Sequence, residues 1–273
     1  EHFEATIQAG RHVFTEKPAG VDAPGIRRFL AAGETAKSNG LSVAAGTQRR
    51  HQKHYLECLK RVQDGAIGTP IHVHGAYLQS WLSGNVWGDW KKTPSFQWRL
   101  STRHGSRGVL GDIGVHLLDF ASYPVGSAVR VRCTLKTFPK YPKNRLGEYM
   151  LDANDTALME IEFCNGALGT LHTTRWATGH ANTVAVDIYG NEGAIRINLD
   201  QSPTELQICR GKNRHKATWK TVRATPAPDM YQRFIKSVRT GAQDQPDFAR
   251  GAEIQKIIDA CFESDKTGSA IRV

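Results

Sequence analysis

The stretch Ala157-Leu158-Met159-Glu160-Ile161-Glu162-Phe163-Cys164-Asn165-Gly166-Ala167-Leu168-Gly169-Thr170-Leu171-His172-Thr173-Thr174-Arg175-Trp176 decides how most of the chain folds. Ala157, Met159, Ile161 and Phe163 alternate with Glu160 and Glu162, the period of a strand covered on one face. Asn165-Gly166 supplies a two-residue turn, and Leu168 to Trp176 runs back. Further on, Val184, Val186 and Ile188 alternate again. Gly190-Asn191-Glu192-Gly193 turns the chain, and Ile195 and Ile197 continue it. These are hairpins of an antiparallel sheet with one face left open.

Outward from this sheet, Ile254, Ile257, Ile258, Cys261 and Phe262 form one face of a helix that Gly268 ends, before a short last strand, Ala270-Ile271-Arg272-Val273. Upstream, a helix from about His51 to Asp64 leads through Gly65-Ala66-Ile67-Gly68 into a strand, Ile71 to Tyr77. The first fifth has another rhythm. A helix ends at Gly10, and Arg11 to Glu16 makes a short strand closed by Lys17-Pro18. Asp22 starts a helix with Pro24 in its first turn, Asn39-Gly40 stops it, and Leu41 to Gly46 is an apolar strand bounded by glycine. Helix–strand–helix–strand in this order reads as the tail of a doubly wound parallel sheet. The expected fold is therefore α/β followed by α+β: a remnant of a doubly wound domain over residues 1–50, then residues 51–273 built on a large, mainly antiparallel open sheet with flanking helices. The boundary is expected near Arg49 to Gln52.

With 273 residues and 40% hydrophobic content the chain can bury a substantial core. A charged fraction of 23% with 8% aromatics excludes a disordered polar chain. No apolar run is long enough to span a membrane, and a cytoplasmic location is expected. The formal charge of +10 is spread from Arg11 to Arg272. Its densest run, Lys212-Asn213-Arg214-His215-Lys216, falls between two strand-like stretches and reads as a solvated hairpin tip, so no nucleic-acid partner is expected. Cys58, Cys133, Cys164, Cys209 and Cys261 are scattered, with no C-x-x-C pair, and read as reduced thiols filling small apolar sites.

Two segments carry chemistry. Lys17 follows a parallel strand at its C-terminal end, where open α/β sheets bind ligands, and Pro18 stiffens the turn that presents it. In Gly108-Val109-Leu110-Gly111-Asp112-Ile113-Gly114-Val115-His116-Leu117-Leu118-Asp119, Asp112 and His116 stand four apart, neighbours on one face of a helix, with Asp119 a further turn along. The apolar residues around them bury that helix. A carboxylate beside a buried imidazole can hold its tautomer and raise its basicity, the arrangement that takes a proton from an alcohol. A core histidine satisfied by a hydrogen bond is the structural alternative. His72 and His74 on one strand face, and His51 and His54 on a helix, lack an Asp, Glu or Cys to complete a metal set, so no metal is expected. Trp81, Trp87, Trp90 and Trp98 with Phe96 either stack on a sugar or nicotinamide face or cushion a long loop.

Taken together these segments resemble the Gfo/Idh/MocA family of nicotinamide-dependent oxidoreductases. Ala9-Gly10-Arg11-His12-Val13-Phe14-Thr15-Glu16-Lys17-Pro18 is similar to its "AGKHVxxEKP" signature, and Trp98-Arg99 with Gly108 to Asp119 to its "WR…GGGxLxDxGxHxxD" segment. The resemblance implies a Rossmann remnant and a C-terminal domain for substrate and oligomerisation. It implies hydride transfer between a sugar, cyclitol or related polyol hydroxyl and NAD or NADP, with Lys17, Asp112 and His116 as catalytic residues. His116 would be the base and Lys17 the donor to the reacting oxygen, while Asp112 would orient or relay. Glu16, Lys17, Pro18, Gln48, Trp98 and Arg99 would meet the cofactor, and His180 and Asn182 would face substrate. Copies of the chain would pair through the open sheet face. The family's glycine-rich phosphate loop would precede Glu1, requiring roughly 80–100 residues at about 30 per βαβ unit. The residues given are expected to bind dinucleotide weakly and to be inactive on their own. Two rivals stay open: an NAD-dependent glycosidase on the same scaffold, and a non-catalytic binding or assembly subunit.

Overall fold

The computed structural model describes residues 2–17, 23–46 and 52–273. In chain order the first elements are α1 (His2–Gln8), β1 (Val13–Glu16), α2 (Ala23–Ser38) and β2 (Val43–Gly46). Next come α3 (Lys53–Gln63), β3 (Pro70–Leu78), a short α4 (Pro94–Gln97) and α5 (Val115–Val125). The strands β4 (Ala128–Lys136), β5 (Arg145–Leu146), β6 (Tyr149–Met150), β7 (Thr156–Phe163) and β8 (Leu168–Thr174) follow. Then come β9 (Thr183–Gly190), β10 (Gly193–Asn198), β11 (Glu205–Arg210) and β12 (Lys220–Arg223), before α6 (Met230–Thr240), α7 (Phe248–Thr267) and β13 (Ile271–Arg272).

β1 and β2 pair in parallel, Val13 opposite Val43. The other edge of β2 is satisfied by the segment after α6: the Ala45 N–H donates to the Pro246 carbonyl, 2.9 Å. Ile7, Val13, Phe29, Ala36, Leu41, Val43 and Phe248 form the small core of this layer. Of the expected boundary, Arg49 to Gln52, all but Gln52 lies outside the described residues. The second sheet has nine strands in the order β12-β11-β10-β9-β3-β8-β7-β4-β13. It is antiparallel except where β3 and β8 run parallel, Val73 beside Gly169, so the sheet is mixed at its centre. The helical side is closed by α5, whose buried side chains run from Val115 to Val125. The helix comes this close because β3 carries Gly75, where a Cβ would stand 3.1 Å from Leu117 and 2.9 Å from Leu171. The opposite face, with the exposed Glu160 of β7, Thr170 of β8 and Arg132 of β4, bears no helix among the described residues. The basic Lys212–Lys216 segment lies in the 3₁₀ connection between β11 and β12. Cys58, Cys133, Cys209 and Cys261 are buried free thiols and Cys164 is an exposed one.

α7 ties the two layers together. At its start Phe248 stacks on Phe29 of α2, ring centroids 3.9 Å apart. Near its end the Ser264 hydroxyl accepts from the Cys133 N–H of β4, 2.9 Å. Between them Arg250 reaches α5, where its Nε donates to Asp119 at 2.8 Å and its Nη2 to the Ser122 hydroxyl at 2.7 Å. Asp119, 1% exposed, is thus a packing residue between two helices. Removing one partner of such a pair leaves a buried charge uncompensated. Arg250→Ala should therefore lower the unfolding free energy by about 3–5 kcal/mol in urea titration; a loss below about 1 kcal/mol would show that the clamp does not hold α7.

Candidate active site

The Gly108–Asp119 segment does not form one regular helix. Leu110–Gly114 is a π-helical turn that continues into α5, with the Val115 N–H donating back to the Leu110 carbonyl. π turns inside α-helices concentrate at functional sites because the extra residue re-aims the side chains around it. Asn154, just before β7, caps this turn: its carbonyl accepts from the Val109 N–H at 2.7 Å and its Oδ1 from the Leu110 N–H at 3.1 Å. Gly108 makes room for that cap. It has φ +67°, and a Cβ there would lie 2.4 Å from the Asn154 side chain.

The re-aimed Asp112 is the electrostatic centre. Lys17, at the end of β1, donates from Nζ to the Asp112 carbonyl at 2.6 Å and to its Oδ1 at 3.1 Å. Arg175, at the end of β8 and with its side chain wholly buried, donates from Nη2 to Oδ2 at 2.9 Å. Arg99 adds a third cation 3.7 Å from Oδ2. Burial works to raise the Asp112 pKa, but the charges of Arg175, Lys17 and Arg99 and the Lys17 hydrogen bond outweigh it and hold it at about 2. Burial also works against the charged Arg175 guanidinium, and the Asp112 charge opposes that. The Trp81 ring covers the guanidinium at 4.9 Å, and its Nη1 donates to the Arg99 carbonyl at 3.2 Å.

Lys17, Asp112 and His116 line one cleft of about 600 Å³, together with Tyr77, Gln79, Trp81, Trp87, Phe96, Arg99 and Asn182. His116, 6% exposed, sits in the first turn of α5 with its ring 6.4 Å from that of Tyr77. The aromatic loop divides its labour. Trp81 and Trp90 are buried with Leu82, Leu100 and Leu151, whereas Trp87 lies nearly parallel to Phe96, 6.5 Å away, along the cleft wall.

Other expected residues are placed differently. Glu16 is exposed at the end of β1, against Gly46. Trp98 stands at the rim, 41% exposed, with the Arg99 guanidinium 4.7 Å above its ring. His180 is not among the residues that line the cleft; its Nδ1 meets the Thr183 hydroxyl at 2.8 Å, and Thr183 in turn donates to Asp200. Pro18, Gln48 and His51 lie outside the described residues. His54 is buried with Nδ1 2.7 Å from the Pro203 carbonyl, and His74 faces Thr170 and His172 on the open sheet face. Sequence reasoning missed Arg175, Gln79 and Asn154. Arg175 had a readable sign: it stands in the inward phase of Gly169, Leu171 and Thr173, where a charge must have a partner.

Comparison with known proteins gives a consistent picture. Residues 55–196 match the GFO/IDH/MocA C-terminal domain family. Levoglucosan dehydrogenase of Pseudarthrobacter phenanthrenivorans is 28% identical over 298 residues, covering 95% of this chain and 73% of that protein. Scyllo-inositol 2-dehydrogenase (NAD(+)) of Bacillus subtilis is 26% identical over 72% of this chain, which spans about half, 52%, of that protein. The structure of a levoglucosan dehydrogenase in complex with NADH and levoglucosan superimposes with TM-score 0.85 at 27% identity, covering 99% of this chain and 76% of that one.

Because the folded-state pKa of Asp112 is depressed, its stabilisation is complete above the ordinary carboxylate pKa of about 4 and is lost as pH falls toward about 2. The difference in unfolding free energy between the native protein and Asp112→Asn should accordingly be constant near neutrality, shrink from pH 4 downward and level off below pH 2. A difference that stays flat across that window would refute the depressed pKa.

Proposed function

The chain belongs to the GFO/IDH/MocA family, and from that premise we propose that its cleft oxidises a secondary hydroxyl of a sugar, cyclitol or related polyol, with a nicotinamide dinucleotide as redox partner. The observation that carries this reading is the meeting of Lys17, Asp112 and His116 in one cleft at the C-terminal end of a parallel strand. Open α/β sheets bind ligands at that end. The residues present fit the cofactor: Lys17 and Arg99 place positive charge at the cleft, and the Trp87–Phe96 pair offers it a flat apolar wall. When bound, the nicotinamide supplies the hydride acceptor.

The chain's own residues handle the proton and the charge. His116 is proposed as the base that takes the hydroxyl proton, a role that suits a neutral imidazole near pH 7. Lys17 donates to the reacting oxygen and steadies the charge that develops as the proton leaves. Asp112 fixes the Lys17 ammonium by the two contacts already described, and Arg175 keeps Asp112 ionised and still. Asn182 contacts substrate from the start of β9. Residues 1–50 are assigned to the dinucleotide domain and residues 51–273 to the substrate domain. The helix-free sheet face is assigned to pairing of two copies, supported by Leu158 and Leu168, 54% and 58% exposed on that face.

In the enzyme supplied with its nicotinamide cofactor, His116→Ala should lower kcat by about 10²–10⁴-fold on sugar or cyclitol oxidation followed by NADH absorbance, and Lys17→Met should act in the same direction. Normal turnover in either variant would remove that residue from the mechanism. Release of free sugar from a glycoside with no net NADH would instead favour the glycosidase. Replacing Leu158 and Leu168 with Glu should shift the sedimentation coefficient toward the monomer; an unchanged value would place the interface elsewhere.

A further inference from the structure

The buried charges behind the cleft do not end at Arg175. Asp155, the residue before β7, is wholly buried, and its backbone carbonyl accepts from the Arg175 N–H at 3.0 Å. Its Oδ2 accepts from the Phe138 N–H at 3.0 Å and from Lys140 Nζ at 2.9 Å. The Lys140 side chain is as fully shielded as that of Asp155, with 0% exposure for each. Lys140 belongs to the segment that leaves β4 and carries the β5–β6 hairpin. Its Nζ also donates to the Leu151 carbonyl at 3.3 Å, and Asn144 Nδ2 donates to the same oxygen at 2.8 Å. Burial and the charge of Arg175 both work against the Lys140 ammonium, and Asp155 favours it. Asp155 also favours the charged Arg175. Four buried or half-buried charges of alternating sign thus run inward from the cleft: Asp112, Arg175, Asp155 and Lys140.

Within this row Arg175 has two carboxylates to choose from. Its Nη2 is used by Asp112 and its Nη1 by the Arg99 carbonyl, while its buried Nε makes no hydrogen bond among the described residues. Asp155 Oδ1 is also buried and makes none. A spare donor and a spare acceptor therefore sit on the two middle members of the row. Lys140 is the cation that already satisfies Asp155. Without it a buried carboxylate would be left uncompensated, which is strongly unfavourable, and the Arg175 guanidinium is the other cation whose charge reaches it.

We propose that Lys140 is a positioning residue for the reaction: by neutralising Asp155 it leaves the Arg175 guanidinium to Asp112, and so keeps Asp112 fixed on Lys17. This rests on the reading of the cleft as a polyol-oxidising site. Lys140 is not among the residues that line the cleft, so it acts only through Asp155 and Arg175. When its charge is removed, Arg175 turns its free Nε–H toward Asp155 and loosens its hold on Asp112. The Lys17 ammonium then loses the fixed carboxylate that aims it at the reacting oxygen.

The test uses the enzyme supplied with its nicotinamide cofactor and a sugar or cyclitol that it oxidises. Lys140→Met keeps the apolar stem and removes the charge. It should lower kcat by about ten-fold, the size of a coupling between neighbours in one ionic network, with KM changed far less. The paired variant Lys140→Met with Asp155→Asn removes both charges, so no carboxylate competes for Arg175, and most of the lost kcat should return. A segment that needed Lys140 for packing alone would lose at least as much in the pair as in the single variant. A second readout needs no turnover. The pH window in which Asp112 loses its stabilisation, measured against Asp112→Asn in the same background, now ends at about 2. That end should move up toward the ordinary carboxylate value in Lys140→Met and move back in the paired variant. A folded Lys140→Met with kcat within about two-fold of native and an unmoved window would overturn the proposal. If Lys140→Met does not fold, the paired variant decides: recovered kcat supports the competition for Arg175, and an inactive or unfolded pair refutes it. Failure of the native enzyme to oxidise any sugar or cyclitol would sink the functional reading instead, and the Asp112 window would still judge the charge row.

Discussion

Everything at the cleft depends on one carboxylate held among cations. Asp112 is reached by Lys17 from the parallel layer and by Arg175 from the end of a sheet strand, so one ionic contact joins the two parts of the molecule. Taking a guanidinium wholly out of water is costly, and a buried pair repays that cost only when its geometry is good. Here the cost is offset by Asp112, by the Arg99 carbonyl and by the indole of Trp81. Such a pair contributes little net stability. Its use is to keep Asp112 ionised and fixed in a setting of low dielectric, where its hold on the Lys17 ammonium is stronger than in water.

The same helical segment carries a second carboxylate to a different end. Asp112 sits in the π turn and faces the cleft, whereas Asp119, two turns on, faces α7 and binds Arg250. In sequence these two acids look alike beside His116. Their fates separate because the π turn rotates the first residues of the segment relative to the rest, and because α7 crosses behind α5. One face of the segment thus turns to the cleft and the other holds the layers together.

The fold was legible where a pattern repeats. Alternation over residues 157–163 and 184–197 predicted the hairpins, and the isoleucines of α7 predicted its buried side. The parallel pairing of β3 with β8 was not legible, since alternation records which face is covered and carries nothing about strand direction. Lys17, Asp112 and His116 could be singled out because their types are chemically distinctive, and the fold brings all three to one cleft. Asn154 was hidden because capping a π turn from a distant loop leaves no local spacing. The contacts of His180 with Thr183, and through it with Asp200, were not legible, since they depend on where β9 begins relative to the end of β10. The aromatic loop was legible in composition only; its partition into buried Trp81 and Trp90 and cleft-facing Trp87 depends on contacts with Leu100, Leu151 and Phe96.

Trp81 is where the charge centre of the cleft meets its amide wall. Its face lies over Arg175 and excludes water from the guanidinium, which sustains the field felt by Asp112. Its edge carries the one hydrogen that orients Gln79 and, through it, Asn182. An aliphatic side chain of equal volume would serve the first role in part and the second not at all. Phenylalanine would keep the ring and lose the hydrogen. A tryptophan at residue 81 satisfies both demands because indole is flat, apolar over its face and a donor at a single point on its rim. The guanidinium of Arg175 and the amides of Gln79 and Asn182 are thus tied together through this one side chain.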